Sequence, residues 1–325
     1  MAWSVSMVSL FVTIAYCYVL MVSVRGQSFE PHLHPKSERP RRQLTEGFHA
    51  DIDDITISAG FQHSCGIQSS GEEFGGTLTC WGFNQKGQAA PPSGTFIQVS
   101  CGNFHSCGLT IDEEIKCWGA PGVGMSVEGQ FLQVSAGGFH TCAVKKNGEL
   151  QCWGKDYEGQ VSNTPEGTFV QVSCGKSHSC AIQTDGTAKC WGSNQWGESQ
   201  PPEGYQFTQI SSSMWHHTCG VTIDGDVLCW GADGFGQSGK VPDQTFTLVS
   251  TGRKFSCGIL ASTEAVCWGM ENQFDTTVVP KDTNWATLSA GYMHTCGITM
   301  DNTAVCWGND VGTQASVPSS FIPAS

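Results

Sequence analysis

The chain has 325 residues, a formal net charge of −13 at pH 7 and 17 cysteines. This acidic balance argues against nucleic acids and anionic membrane surfaces as partners, because both require a positive footprint. It permits a basic protein partner or loosely held divalent cations, and an acidic surface also serves solubility alone.

The chain begins with a leader. Residues 2–24 are almost unbroken in their apolar, uncharged character. This run is close to the length of about 20 residues that spans a bilayer. The small residues Ser23 and Gly26 at its end favour cleavage over retention as an anchor. We therefore predict a signal peptide over residues 1–26, with membrane attachment only if the leader is retained.

A polar spacer follows the leader. Residues 27–50 are polar and aperiodic, which predicts disorder. Within them, the basic stretch Arg39–Arg42 is read in two ways. It resembles a site for furin-like processing, which would make the spacer a propeptide, or it is a solvated basic segment.

From residue 51 to residue 325, a pattern of Gly, His, two Cys and Trp occurs seven times. The second Cys of each module follows that of the previous one by 35 to 39 residues, and a fixed period in this range indicates a repeat architecture. In the fourth module, residues 169–173 alternate as a half-buried strand does. A second strand is predicted at 178–183, a tight turn at Asp185-Gly186, and a third strand at 187–191. The chain is thus predicted to be all-β, each module a three-stranded meander with a short fourth strand in the Gly- and Pro-rich connection that follows, 194–202 in this module.

The cysteines form two series that pair within each hairpin, usually ten residues apart. Opposed Cα atoms of antiparallel strands lie about 4.5 to 5.5 Å apart, which overlaps the range that a disulfide accepts. A leader implies an oxidising compartment, whereas zinc would prefer CxxC spacings that do not occur here. We predict no metal site, no cofactor and one disulfide per hairpin: Cys65–Cys80, Cys107–Cys117, Cys142–Cys152, Cys180–Cys190, Cys219–Cys229, Cys257–Cys267 and Cys296–Cys306.

Two further cysteines, Cys101 and Cys174, precede the Gly of the first strand in modules two and four. Modules one and three have Ala59 and Ala136 there, so we interpret both cysteines as small buried thiols in place of alanine. The alternatives are an eighth disulfide, which would have to skip a module, and a reactive thiol, which would need an electropositive setting.

A histidine two residues before the first Cys recurs in six modules, and Phe255 replaces it in the sixth. Repetition at one structural address favours a packing or hydrogen-bonding role over metal binding or acid–base chemistry. The Trp after each second Cys is interpreted in the same way, as aromatic packing. No carboxylate pair, nucleophile elbow or phosphate loop stands out, so the sequence predicts no catalytic residues and no enzyme.

The phrase V-S-x-G-x-x-H-x-C, followed by C-W-G and G-Q, resembles the repeats of the regulator of chromosome condensation superfamily. Its cysteine-bearing form is similar to the ectodomains of crinkly-type plant receptor kinases, and a relative without the cysteines is the β-lactamase inhibitor protein type II. The resemblance implies a seven-bladed β-propeller over residues 51–325, closed by its terminal segments. The chain lacks a kinase domain and a basic nuclear character, so the resemblance carries over the fold and not an activity.

The two ends of the repeat region predict where the first and last modules meet. Residues 54–60 supply a first strand for module one, and residues 320–325 echo residues 95–100, which approach the first strand of module two. The two termini are therefore expected to meet at one seam, which leaves no exposed sheet edge.

Two residues vary between the first-strand Gly and the His of each module. In the resembling inhibitor, this loop contributes aromatics to a protein-binding face, and aromatics and Arg are enriched at interface hot spots. The alternative is that these rings pack on neighbouring blades. The candidate partner-binding residues are Phe61, Phe104, Phe139, Trp215, Arg253 and Tyr292.

These observations favour a secreted, extracellular and non-enzymatic protein-binding propeller, either an inhibitor or a receptor-ligand-like module. The alternative is a carbohydrate-binding or extracellular-matrix protein, which would carry repeated equivalent sites. A secreted enzyme is a third hypothesis, and it lacks a catalytic constellation in the sequence.

Overall fold

The computed structural model describes residues 57–69, 75–123, 125–271, 274–321 and 323. The predicted signal peptide over 1–26, the spacer over 27–50 and the Arg39–Arg42 stretch lie outside the described residues. Among the residues that are described, no helix is long and apolar enough to cross a membrane.

Every regular element in the described part of the chain is a strand. The strands are β1 (Ile57–Ala59), β2 (His63–Ser69), β3 (Gly76–Gly82), β4 (Phe96–Cys101), β5 (His105–Thr110), β6 (Ile115–Gly119), β7 (Phe131–Ala136), β8 (His140–Lys145), β9 (Leu150–Gly154), β10 (Phe169–Cys174), β11 (His178–Gln183), β12 (Ala188–Gly192), β13 (Phe207–Ser212), β14 (His217–Thr222), β15 (Val227–Gly231), β16 (Phe246–Thr251), β17 (Phe255–Leu260), β18 (Ala265–Gly269), β19 (Trp285–Ala290), β20 (His294–Thr299) and β21 (Ala304–Gly308).

Consecutive groups of three strands form antiparallel meanders, one for each module. In module four, β10 pairs with β11 and β11 with β12, joined at Asp185-Gly186, where Gly186 has φ 86°. That angle is one that glycine adopts without steric cost. A single Gly76–Phe96 pair joins the first two meanders into one sheet. The predicted three-stranded unit is confirmed.

The predicted fourth strand in the connection after β12 is wrong. Residues 194–202 form turns and open segments, with Gly197 at φ 82°. The cause lies partly in Pro201 and Pro202, which lack the N–H that a ladder requires. The side chain of Glu198 also accepts the backbone N–H of Trp196 at 2.7 Å, which closes the loop on itself.

Neighbouring modules are joined by one hydrogen bond that repeats around the molecule. In each first strand, a serine Oγ accepts a hydrogen bond from the backbone N–H of the last residue of the next module's first strand. The seventh module continues this pattern to the first, where Ala59 N donates to Ser289 Oγ at 2.9 Å. Contacts between modules therefore run in a closed cycle. The accepting serines are Ser58, Ser100, Ser135, Ser173, Ser211, Ser250 and Ser289.

The hydrophobic core is divided among the boundaries between modules. In one such cluster, Cys142 and Val144 of module three pack with Phe169, Val172 and Trp191 of module four. A module therefore buries its apolar face only against its neighbours, as in other repeat proteins.

The recurrent tryptophans are anchored across the same boundaries. The indole Nε1 of Trp191 donates to the carbonyl oxygen of Gln160 in the previous module at 2.9 Å. Equivalent bonds of 2.9 to 3.2 Å link five other modules to the one before them, each to a backbone carbonyl oxygen. The donors are Trp81, Trp118, Trp230, Trp268 and Trp307.

All seven predicted disulfides are present, each between the second and third strands of its own module. The bonded residues lie directly opposite one another in register, as Cys180 and Cys190 do. Antiparallel registration brings opposed Cα atoms close enough for the bond, and here they lie 4.0 Å apart in module four.

Cys101 and Cys174 are unpaired and buried, with 3% and 4% of their surface exposed. Each lies near the histidine and the first cysteine of the preceding module, within 4.8 Å. Those neighbouring sulfur atoms, of Cys65 and Cys142, are held in disulfides, so neither group offers a set of free thiolates for a metal. Burial raises the pKa of the two thiols to about 12 and about 11.

The C-terminal segment completes the first module. Pro323 bridges to Gln68 of β2, and its carbonyl accepts Asn302 Nδ2 at 3.3 Å. Phe321 is buried, with its ring centroid 5.5 Å from that of Trp81. Because β1 is short, the outer part of this first strand position is filled by the end of the chain. The described ends of the repeat region thus meet in module one, as the echo of residues 95–100 predicted.

Candidate functional site

The recurrent histidines connect one module to the next. Each Nε2 lies 2.6 to 3.0 Å from the hydroxyl of a Ser or Thr in the following module, as His105 does with Thr141 at 2.8 Å. Desolvation by burial lowers the pKa of His105 to about 4, so this ring is neutral near pH 7. The same pattern holds for His63, His140, His178, His217 and His294, whose pKa values are lowered to about 3 or 4.

These rings also explain the glycine of the repeat. A Cβ atom built on Gly175 would lie 2.3 Å from Cε1 of His178, so a larger residue cannot fit in this loop. Neutral, fully buried rings that bond to their neighbours act as packing elements, which supports the structural interpretation of the histidines.

The loops between the first and second strands of the modules lie at one end of the cycle and bond to one another. Tyr292 N donates to Gly60 O at 3.0 Å, and Phe61 N donates to Gly102 O at 3.2 Å. Equivalent bonds leave Asn103, Gly138 and Lys176. The variable side chains are therefore held side by side.

We call seven side chains of these loops the central ring. They are Phe61, Phe104, Phe139, Lys176, Trp215, Arg253 and Tyr292, all of them half-buried.

The phenylalanines and the tyrosine form a continuous apolar arc of the central ring. Ring centroids are 6.3 Å apart for Phe139 and Phe104, 5.8 Å for Phe104 and Phe61, and 4.2 Å for Phe61 and Tyr292. Aromatic pairs attract at centroid separations of about 4.5 to 7 Å; two of these pairs lie within that range, and Phe61 and Tyr292 are slightly closer. The predicted rings thus pack on their neighbours and also keep part of their surface open.

The other arc of the central ring is cationic. Arg253 Cζ lies 4.4 Å from the ring centroid of Tyr292 and 4.7 Å from that of Trp215. Lys176 Nζ lies 4.4 Å from the Trp215 centroid. The structure therefore brings all six predicted residues together. It adds Lys176, which lies in the equivalent loop of module four and was not predicted because its pair contains neither an aromatic residue nor an arginine.

The loop of module five departs from the two-residue pattern. Ser213 stands where the other modules have glycine, and three residues separate it from His217. The Ser213 Oγ accepts the backbone N–H groups of Trp215 and His217, both at 3.1 Å, and Met214 is buried. The interpretation of a Gly followed by two free residues is wrong for this module, because the serine and the additional residue build a different turn.

No carboxylate among the described residues lies within 4.0 Å of the charged nitrogens of Lys176, Arg253 or Lys254. Desolvation and the charge of Arg253 lower the pKa of Lys254. Lys254 Nζ lies 4.0 Å from the ring centroid of Phe235, a residue of the preceding module. These cations are therefore compensated by aromatic faces and not by ion pairs.

A second set of exposed aromatic residues, which sequence reasoning missed, lies in the loops that follow the third strands. Tyr157, Trp196 and Phe235 are exposed by 73%, 61% and 42%. The backbone N–H of Phe235 donates to Gln237 Oε1 at 2.9 Å, so the Gln of the G-Q motif holds this loop. The available signal was a bulky residue two or three positions before that Gln or its Glu equivalent.

In module four the residue at the Gln position is Glu198, and its side chain is fully buried. Its carboxylate lies 3.1 Å from His216 Nδ1 and accepts Ser193 Oγ at 2.8 Å. Burial raises the pKa of Glu198, but the hydrogen bonds from His216, Ser193 and the Trp196 N–H outweigh it and lower the pKa to about 2. This carboxylate is bound by its own loop and by His216 of the next module, so it is not free for acid–base chemistry.

The sequence model of the regulator of chromosome condensation (RCC1) repeat matches five segments of the chain: 55–88, 96–124, 131–160, 169–198 and 207–237. No curated protein matches the chain significantly.

Solved structures with the same fold include two receptor ectodomains. The CRINKLY WD40 ectodomain of the Arabidopsis thaliana receptor kinase ACR4 is 27% identical with a TM-score of 0.66, over 83% of this chain and 98% of that one. The ectodomain of the Physcomitrella patens receptor kinase CR4 is 23% identical with a TM-score of 0.67, over 78% and 73%. Yeast RCC1 (Prp20), solved bound to Kap60, is 14% identical with a TM-score of 0.66, over 91% and 90%. The Physcomitrella ectodomain and yeast RCC1, at 23% and 14% identity, are evidence for the fold only.

Proposed function

Since this chain carries regulator of chromosome condensation repeats, we propose that it is a secreted, non-enzymatic β-propeller of seven blades that binds a protein through the central ring. The blades are the seven meanders and the propeller spans residues 51–325, after a signal peptide over 1–26 and a spacer over 27–50. The cyclic hydrogen bonds of the seven serines support this blade count, because each blade supplies one acceptor to the next.

The central ring is the observation that carries the proposal. Its residues lie in the same loop of every blade and yet differ in chemistry, while the buried His, Cys and Trp positions repeat. Half-buried aromatics beside an arginine are the composition found at interface hot spots. The similarity to a receptor ectodomain at 27% identity points in the same direction.

The disulfides support secretion. Seven hairpin disulfides persist in an oxidising compartment and are rare where glutathione keeps thiols reduced. The partner is then expected in the extracellular space.

The test is an affinity capture from native extracellular fluid. The full chain and its Trp215→Ala variant are compared, with Ile223→Ala as the matched control. Ile223 is 60% exposed and lies at the hairpin turn after β14, at the opposite end of the strand from Trp215. We expect a partner that is retained by the wild type and by Ile223→Ala and lost with Trp215→Ala. Equal retention by all three proteins would exclude the central ring as the binding face.

Carbohydrate or matrix binding is the second candidate, and the exposed loop aromatics favour it. Tyr157, Trp196 and Phe235 stand in successive modules at closely related loop positions, as repeated equivalent sites would. A glycan array discriminates between the two candidates. Glycan binding that depends on Trp196 and not on Trp215 would favour the carbohydrate function.

A further inference from the structure

We infer that the cationic arc of the central ring binds an acidic segment of the partner, with side-chain carboxylates against Arg253 and apolar residues against the apolar arc. This inference rests on the proposed function, and it adds the chemical class of the partner segment.

Arg253 is the centre of the inferred site. Its guanidinium lies between the rings of Tyr292 and Trp215, and its Nε is buried without a hydrogen-bond partner. With a ring on either side, the donors left for a partner are those at the outer edge of the guanidinium. That edge is the part of arginine that matches a carboxylate in bidentate fashion.

Two lysines extend the positive charge around Arg253. Lys176 lies on the Trp215 ring and Lys254 follows Arg253 directly in the chain, and neither is paired with a carboxylate among the described residues. Three cations held close together repel one another, and an anion placed between them relieves that repulsion. The unpaired charges therefore favour more than one carboxylate on the ligand.

The location of the positive charge selects for acidic ligands. The protein has a net charge of −13, so most of its surface repels an acidic segment. Complementary potentials at an interface steer the encounter and suppress other partners. A cationic arc on an otherwise acidic protein thus directs an acidic segment to this one place.

The apolar arc sets the remaining composition of the ligand. Phe61 contacts Tyr292, and Tyr292 contacts Arg253, so apolar and cationic surfaces are continuous. A segment that carries carboxylates beside aliphatic or aromatic side chains contacts both surfaces at once.

The experiment is a selection of phage-displayed, random twelve-residue peptides on the immobilised full chain. Displayed peptides are joined to the coat protein at their C-terminus, so any carboxylates that bind belong to side chains. Selected peptides are then synthesised, and their affinities are measured for the wild type, for Arg253→Gln and for Trp215→Ala. Lys189→Gln is the control, because Lys189 is an exposed cation on β12 outside the ring.

We expect selected peptides rich in Asp and Glu next to apolar residues. Their affinity should fall at least tenfold with Arg253→Gln, weaken as salt is raised, and stay unchanged with Lys189→Gln. Neutral or basic peptides that require Trp215 but not Arg253 would overturn the acidic class while leaving the proposed face intact. Selected peptides that ignore both substitutions, or a selection that yields no peptide, would overturn the inference, and the first of these would also remove the face.

Discussion

We predict that this protein loses stability as the pH falls from 6.5 to 4, because its recurrent histidines are buried. Burial lowers their pKa values to about 3 or 4, whereas an unfolded histidine titrates at about 6.5. Below pH 6.5 the unfolded chain therefore binds more protons than the folded one, and the free energy of unfolding falls as the pH falls.

The magnitude follows from the size of the pKa shift. One pKa unit corresponds to about 1.4 kcal/mol, so each histidine costs about 2 kcal/mol at pH 5 relative to pH 7. Six histidines give about 12 kcal/mol, which is comparable to the whole stability of a typical domain at about 5 to 15 kcal/mol.

His105→Phe removes one of these contributions, since burial alone lowers the pKa of His105 and Phe255 already fills the equivalent position in module six. We expect the difference in unfolding free energy between pH 7 and pH 5 to shrink by about 2 kcal/mol. The assay is denaturant unfolding followed by tryptophan fluorescence at both pH values, with the disulfides intact.

Thr141→Val is the matched control for His105→Phe. It removes the hydroxyl that His105 contacts and keeps the ring that titrates. This variant should be less stable at both pH values and keep most of the pH dependence. An unchanged pH dependence in His105→Phe would refute the assignment of acid sensitivity to these rings.

Three further outcomes are expected. Tyr292→Ala should weaken partner binding by about 2 kcal/mol with little loss of thermal stability, whereas Trp191→Ala should lower stability by about 3 to 5 kcal/mol through a cavity; calorimetry beside a binding titration separates them. Cys174→Ala should change stability by less than about 1 kcal/mol, because alanine fills this position in module three, and a larger loss on denaturant unfolding would contradict that reading. With a substitute signal attached, deletion of residues 1–60 should prevent secretion of folded protein and deletion of 1–42 should not, as measured in the culture medium.

The repeat made most of the fold predictable. Strand positions, the turn at Asp185-Gly186 and all seven disulfides follow from patterns within one module, which depend on local register. The missing fourth strand was not predictable from composition alone. The outcome there depends on Glu198, whose side chain bonds to its own loop, and on prolines that deny the ladder its donors.

The sequence predicted which loops carry the candidate binding residues, but it did not predict the contacts between their side chains. Variation at one loop position identified Phe61 and Tyr292, yet their contact across the closure of the cycle joins residues 231 positions apart in the chain. The contact of Lys176 with Trp215 joins two modules, and such contacts leave no pattern within a single repeat. The extra residue in the loop of module five was not recognised from the sequence, because the motif around it resembles that of the other modules.

Every disulfide of the described chain closes a loop inside its own hairpin, so that apart from the backbone itself only non-covalent contacts join one module to the next. The disulfide pairing therefore does not depend on which module comes first in the chain. A circular permutant that joined residue 323 to residue 57 through a short linker and opened at Gly204, an exposed turn with open space around it, would keep all seven bonds within hairpins. The position of the termini is thus independent of the disulfide pairing, and the chain could begin in any of the connecting turns.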